Sequence, residues 1–317
     1  MRSFRSFAAL PQNAFAQDTA VAIGKFDGVH RGHQAILAQL QQLSAARQLE
    51  PCVFTFTENP LALLQPEKCP RAVASSEQRL ELLAEAGVSA VLMVDFTREL
   101  AALSPAEFVE QVLVQAMRAK VVLVGRDFRF GARGAGDTAE LQQLGQQHGI
   151  EVIVVSDVME AGERISATRV RDSLDVGDVQ LAARLLSRPQ RVRGLVVHGA
   201  ARGRDLGFRT ANLAPHYEGF GPADGVYACV ARVRGKSYAA AVSVGGNPTF
   251  TPDAPSQIEV HLLDFEGDIY GEQITVDFIY RLRGMTAYAG LAPLIDQMRA
   301  DVQQTAALVG PLLDSSM

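Results

Sequence analysis

Gly24-Lys25-Phe26-Asp27-Gly28-Val29-His30-Arg31-Gly32-His33 follows directly on the apolar run Val21-Ala22-Ile23. It leads into a stretch with Ile36, Leu40 and Leu43 at helical spacing. Strand, glycine-containing turn and helix in that order bring two imidazoles and several backbone N–H groups to the start of a helix. The unpaired donors and the partial positive charge there suit a phosphate, and two histidines add donors for a nucleoside triphosphate without a covalent step. A surface histidine pair that merely caps a helix has the same local sequence, so the reading turns on what accompanies it.

Outward from this turn, the first half of the chain alternates apolar runs at 21–24, 52–56, 88–95, 120–125 and 150–155 with helical stretches. Ser104-Pro105-Ala106-Glu107 combines an N-cap, a proline at the first helical position and a capping-box glutamate. Asp137-Thr138-Ala139-Glu140 repeats the arrangement and predicts a helix that stops at His148-Gly149. Such alternation predicts parallel strands with helical crossovers, a doubly wound Rossmann-like sheet. Ligands of such sheets bind beyond the carboxyl ends of the strands, where the 24–33 turn falls. After Leu186 the texture changes. Ser187-Arg188-Pro189 breaks the helical pattern, and short alternating runs such as Gln257-Ile258-Glu259-Val260-His261-Leu262 are separated by glycine turns. These predict a small antiparallel β-barrel followed by a terminal helix from Leu291 to about Leu308, with the domain boundary near 187.

Composition narrows the function class. The 317 residues carry a net charge of −5 with no dense Lys/Arg stretch, which argues against a dedicated nucleic-acid binder. The three cysteines, Cys52, Cys69 and Cys229, lie far apart and read as reduced thiols of a cytosolic protein rather than a metal or disulfide set. Arg2 to Leu10 breaks at Pro11 before a signal-peptide core forms, and no apolar run approaches membrane-spanning length. The expectation is a soluble, cytoplasmic protein acting on small molecules, with its oligomeric state open.

Three further clusters accompany the histidine turn. Phe54-Thr55-Phe56-Thr57-Glu58-Asn59-Pro60 ends the second predicted strand. Val124-Gly125-Arg126-Asp127-Phe128-Arg129-Phe130-Gly131 leads into a glycine-rich loop able to hold a planar ring and an anion. Ile165-Ser166-Ala167-Thr168-Arg169-Val170-Arg171 opens a helix with hydroxyls and arginines, a second anion site. Each alone reads equally as a loop with a helix cap. The ordered set resembles the adenylyltransferase half of prokaryotic bifunctional riboflavin kinase/FAD synthetases. The second half continues the resemblance. Gly194 to Gly199 and Gly203 to Leu213 are similar to the kinase's glycine-rich loop and GFPTANL segment. Asp224-Gly225-Val226-Tyr227, Gly246-Asn247-Pro248-Thr249-Phe250, Ile258 to Phe265, Tyr270-Gly271 and Arg281-Leu282-Arg283 follow in family order.

The resemblance implies ATP-dependent phosphorylation of riboflavin to FMN by residues 188–317, and adenylyl transfer from ATP to FMN by residues 1–187, giving FAD. It places His30, His33, Gly24, Phe26, Asp27, Ser166, Thr168 and Arg169 at the ATP and pyrophosphate phosphates. Asn59, Asp127 and Arg129 fall at nucleotide or flavin contacts. For the kinase it implies Glu259 as the base, Thr210 and Asn212 as ligands of Mg²⁺ and phosphate, and Gly199, Gly203, Arg204 and Gly207 as a flap over ATP. One departure stands out: Arg209 occupies the family's proline position, and arginine does not fix φ as proline does. This leaves a monofunctional adenylyltransferase with a degenerate kinase as the alternative, although Thr210, Asn212 and Glu259 are all present. A flavin carrier without catalysis needs no triphosphate clamp. A tRNA-charging enzyme, which shares the HxGH turn, is disfavoured by acidic balance, small size and the lack of a KMSKS-like loop.

Overall fold

The computed structural model describes residues 1–7, 10–11, 14–15, 17–198, 208–245 and 257–314. By packing, the chain divides into two compact units, Met1–Ser166 and Ala167–Met317.

The first unit is built on six strands: β1 (Arg2–Phe4), β2 (Thr19–Ile23), β3 (Glu50–Phe56), β4 (Ala90–Val94), β5 (Ala119–Gly125) and β6 (Glu151–Val155). They lie in the order β1-β4-β3-β2-β5-β6, and every neighbouring pair is parallel. All five residues of β2 are buried, as expected where helices cover both faces of a parallel sheet. Alternate residues feed two cores. Val21, Ile23, Phe54, Leu92, Val122 and Val124 pack on one face with Phe108, Val112 and Leu141. Ala20, Ala22, Val53, Val91, Met93, Val121 and Leu123 pack on the other with Leu37, Leu40 and Leu83. The second core belongs to α1 (Arg31–Arg47) and to α3 (Ser76–Glu85), which follows the single turn α2 (Leu61–Leu64). The first belongs to α5 (Pro105–Phe108), its π-helical continuation Val109–Ala116 and α6 (Thr138–Gln147), with the short α4 (Arg98–Ala102) before them. The Ser104 capping box and the Asp137 cap both form as the sequence predicts. Chain order reverses between β2 and β5, so the loops that follow these strands flank the topological switch point. A two-stranded ribbon, β7 (Met159–Glu160) with β8 (Glu163–Arg164), closes the unit.

The second unit begins with α7 (Ala167–Asp175) and α8 (Val179–Leu186). Both pack with the barrel that follows: the Ala223 N–H donates to the Leu174 carbonyl at 2.8 Å and Arg281 to the Val176 carbonyl at 2.7 Å. These contacts put the packing division upstream of the change in sequence texture at 187. The barrel is closed and antiparallel, in the order β10-β13-β12-β11-β14-β9. Its strands are β9 (Gln190–Val197), β10 (Ala211–Leu213), β11 (Gly225–Val233), β12 (Lys236–Gly245), β13 (Gln257–Leu262) and β14 (Gln273–Arg283). Along β13 exposure alternates strictly, with Ile258, Val260 and Leu262 buried in the interior. The terminal helix α9 (Leu291–Asp314) packs on β11, β12 and β14 and buries Val309 with Ala228, Val230 and Ala239. It runs six residues past Leu308, through Gly310 and Pro311, a pair that the sequence alone reads as a stop.

Candidate active sites

The turn after β2 is the centre of the first site. Phe26, Gly28 and Val29 adopt left-handed conformations, with φ of 50°, 70° and 41°. Glycine accepts this freely, whereas Val29 is β-branched and buried, so the surroundings must hold it there. They do so through Asp27, whose Oδ1 accepts the backbone N–H groups of Val73 at 2.8 Å and Ala74 at 3.3 Å. His30 then caps α1: its Nδ1 accepts the His33 N–H at 3.4 Å. An accepting Nδ1 leaves the neutral ring's proton on Nε2, as a donor. The His30 and His33 rings stack with centroids 3.7 Å apart, and Phe26 packs on His33 at 5.0 Å. Gly32 makes the stack possible, because a Cβ there would sit 3.1 Å from the His30 ring and 3.5 Å from the Ile165 carbonyl. The same contact brings the segment entering Ser166 alongside the turn.

His33 is only partly exposed, and its Nδ1 is sealed from solvent without a hydrogen-bond partner. Burial, followed by His30, Arg164 and Arg79, drives its pKa well below the usual imidazole value, so the ring is neutral at neutral pH. Two imidazoles at a helix N-terminus can donate to phosphate oxygens without a general base.

Around this centre the other predicted residues divide. Asn59 Oδ1 accepts the Leu61 N–H at 3.1 Å, a local cap at the end of the β3 segment. Asp127 is engaged by Arg164, whose guanidinium lies 3.0 Å from both Asp127 and Asp157 and holds the Asp127 carboxyl below its ordinary pKa. Arg129 lies 3.9 Å from the Asp137 carboxylate. Thr168 and Arg169 stand in the first turn of α7 and belong to the second unit. Two participants escape the sequence reading. Arg164 precedes the Ile165-Ser166 segment in a polar hairpin. Arg79 lies on α3, buried at 6% exposure, and donates to the carbonyls of Lys25 at 2.9 Å and Thr57. An arginine on an amphipathic helix reads as solvent-facing until the tertiary fold covers it.

In the barrel, Asn212 on β10 stands directly opposite Glu259 on β13, and Glu259 opposite Ser243 on β12. Residues paired in this way share a face. Since Ile258 and Val260 point inward, Asn212, Glu259 and His261 occupy the outer face, where Asn212 is nonetheless buried. His261 Nδ1 lies 2.8 Å from the Arg209 carbonyl and its ring meets Phe208 edge-on at 5.6 Å. Because a carbonyl only accepts, this Nδ1 carries a proton. A cavity of about 790 Å³ is lined by Arg209, Thr210, His261, Asp264, Phe265 and Tyr270, among others. Asn212 and Glu259 are each one residue along the chain from wall residues Ala211 and Val260. Tyr270 stacks on His198 with centroids 3.8 Å apart. Gly199, Gly203, Arg204 and Gly207 lie outside the described residues, as does the 246–250 motif.

Comparison with known proteins resolves what the two sites belong to. An FAD synthetase family model matches residues 12–169 and a riboflavin kinase model matches residues 186–309. The bifunctional riboflavin kinase/FMN adenylyltransferase of Pseudomonas fluorescens is 39% identical over 91% of this chain and 92% of its own. That of Escherichia coli K12 is 38% identical over 95% of both chains. The chain belongs to the bifunctional riboflavin kinase/FMN adenylyltransferase family. It is an enzyme with two activities, phosphorylating riboflavin to FMN and joining FMN to AMP to give FAD. Matches to both halves do not favour the monofunctional alternative. A crystal structure described as a macrolide-efflux protein from Streptococcus pneumoniae has the same fold, with a TM-score of 0.86 at 33% identity, covering 96% of this chain and 97% of that one. Among the described residues, no helix is long and apolar enough to cross a membrane.

Proposed function

We propose that His30 and His33 bind the ATP phosphates in the adenylyl-transfer step, with Ser166, Thr168 and Arg169 taking the departing pyrophosphate. The observation that carries this reading is the His30 cap, in which Nδ1 accepts the His33 N–H and the ring proton is left on Nε2 as a donor. A phosphate oxygen of FMN is already a nucleophile, so it attacks the α-phosphorus as the bond to the β-phosphate oxygen breaks. No proton need be removed; catalysis is alignment and stabilisation of charge. Gly24, Phe26 and Asp27 shape the turn, while Asn59, Asp127 and Arg129 lie on the flavin-nucleotide side. We assign this step to residues 1–187 and the kinase to 188–317.

In the kinase step a neutral ribityl hydroxyl attacks the γ-phosphorus as its bond to the β-phosphate oxygen breaks and ADP departs, and Glu259 accepts the hydroxyl proton. Thr210 and Asn212 offer a hydroxyl and an amide oxygen, a donor set that suits Mg²⁺ sharing ATP phosphates rather than a cage of protein ligands. Bound there, Mg²⁺ would neutralise charge on the transferring phosphoryl group. Gly199, Gly203, Arg204 and Gly207, outside the described residues, are assigned to ATP binding by the family resemblance alone. The reactions involve small molecules only, with neither nucleic acid nor membrane, and we place the enzyme in the cytoplasm. A chromatographic assay of riboflavin, FMN and FAD tests the residue roles. His33→Ala should stop FAD formation while FMN still accumulates, and Glu259→Ala should stop riboflavin phosphorylation while added FMN is still converted. Loss of both activities in either folded variant would refute the separation.

A further inference from the structure

We propose that Arg79 is a positioning residue for adenylyl transfer, fixing the ATP-side turn and the flavin-side strand end to one another. The idea rests on assigning the 24–33 turn to ATP and the 57–59 strand end to the flavin nucleotide. Its guanidinium donates to the Lys25 carbonyl at 2.9 Å, within that turn, and to the Thr57 carbonyl, two residues before Asn59. A third bond reaches Ser76 Oγ at 3.3 Å, and Ser76 itself donates to the Thr57 carbonyl at 2.8 Å. Thr55 Oγ1 reinforces the turn by donating to the Lys25 carbonyl at 3.2 Å. The segment leading into α3 grips the turn a second time, through the Val73 and Ala74 N–H groups on Asp27. One helix end therefore holds both loops that emerge from the neighbouring strands β2 and β3.

Stability alone does not account for this arrangement. The guanidinium is buried, its hydrogen-bond acceptors are neutral oxygens, and its Nε has no partner. A desolvated cation so arranged is costly compared with an apolar side chain. What it supplies is geometry, since one planar fork spans two carbonyls from different strands that no backbone ladder joins at that point. Lysine carries the charge but cannot bridge both carbonyls as a rigid fork.

The test uses the full-length enzyme and two variants, Arg79→Met and Arg79→Lys, with riboflavin phosphorylation by the same chain as the internal control. Misplacing reacting groups by about an ångström costs on the order of 100-fold, so both variants should lose about 10- to 100-fold in kcat for FMN adenylylation. Kinase rates should be unchanged. Hydrogen–deuterium exchange with MgATP alone provides a readout of coupling. In the parent enzyme ATP should protect both 24–33 and 55–59; in the variants protection should be confined to 24–33. Should Arg79→Met fail to fold, Arg79→Lys decides. Full adenylylation in either folded variant, or ATP protection of both segments without Arg79, overturns the proposal. Absence of ATP protection at 24–33 in the parent enzyme would instead overturn the underlying site assignment and the proposal with it.

Discussion

Replacing Gly32 by alanine should leave the stability of the enzyme nearly unchanged and make it a poorer adenylyltransferase. Gly32 is the second residue of α1 and its φ is not left-handed, so alanine fits the backbone. In a helix interior that exchange gains up to about 1 kcal/mol, and less in a first turn. Its Cβ, however, would sit 3.1 Å from both Cε1 and Nδ1 of His30, too close for ordinary contact. His30 is 6% exposed and stacked on His33, so its ring has nowhere to go except along the stack, at the expense of the Nδ1 cap. An off-rotamer displacement costs about 0.5–1.5 kcal/mol, roughly cancelling the helix gain. If His30 donates to phosphate as proposed, a shift of a few tenths of an ångström should lower kcat about 10-fold, scaled from the ~100-fold penalty for a full ångström. FAD formation from FMN and ATP, riboflavin phosphorylation and thermal melting of one preparation measure all three consequences. A variant that melts no lower than the parent, phosphorylates riboflavin normally and makes FAD about 10-fold more slowly is the expected outcome. Undiminished FAD synthesis would refute the argument that Gly32 is kept small for the His30 ring.

His261→Ala should slow riboflavin phosphorylation about 5- to 10-fold by losing one hydrogen bond of ~1 kcal/mol to the Arg209 carbonyl. Adding Arg209→Pro should restore much of that rate, because proline fixes φ while keeping the carbonyl; kinetics of the double variant decide whether the histidine compensates for the missing proline. Asp277, buried on β14 and held by Arg191 at 2.7 and 2.9 Å and by Arg232 at 2.5 Å, supports the barrel. With both arginines nearly half exposed, Asp277→Asn should cost about 1–2 kcal/mol, seen as a lower denaturation midpoint. His33 has a folded pKa below its unfolded value near 6.5. Its contribution to stability is therefore complete above about pH 6.5 and is lost as pH falls from there toward the depressed folded value. In denaturant titrations at several pH values, His33→Gln should flatten that acid-side decline; an unchanged slope would show that His33 is not its source.

The sequence was most legible where local chemistry and tertiary structure agree. Val21 to Ile23, Phe54 and Val122 to Val124 are uniformly apolar because a doubly covered sheet has no wet face, so both the fold class and the position of the 24–33 turn at the end of its strand could be read directly. Alternation at 257–262 likewise places Glu259 and His261 on one face from the sequence alone. Elements that depend on distant partners were not legible. Three-residue β1 exists because its residues pair with Ala90, Val91 and Leu92, a relation with no local period. Arg79 and Arg164 carry no local mark of their bonds to Lys25 and Asp127. The extension of α9 through Pro311 contradicts local punctuation, and packing of Val309 on the barrel shows where tertiary contact prevails.

The kinase site has a topological safeguard. Asn212 faces Glu259, and Glu259 faces Ser243, only in one alignment of three neighbouring strands. In an open sheet a strand can creep by one place at the cost of its own ladder, and here that would present Ile258 or Val260 to Asn212 and turn the carboxylate inward. Six strands joined in a ring forbid such a local error, because any slip must be taken up by every other ladder around the circumference. Glu259 and its facing Asn212 therefore cannot drift apart gradually: their spacing is maintained for as long as the ring is shut and lost all at once when it opens.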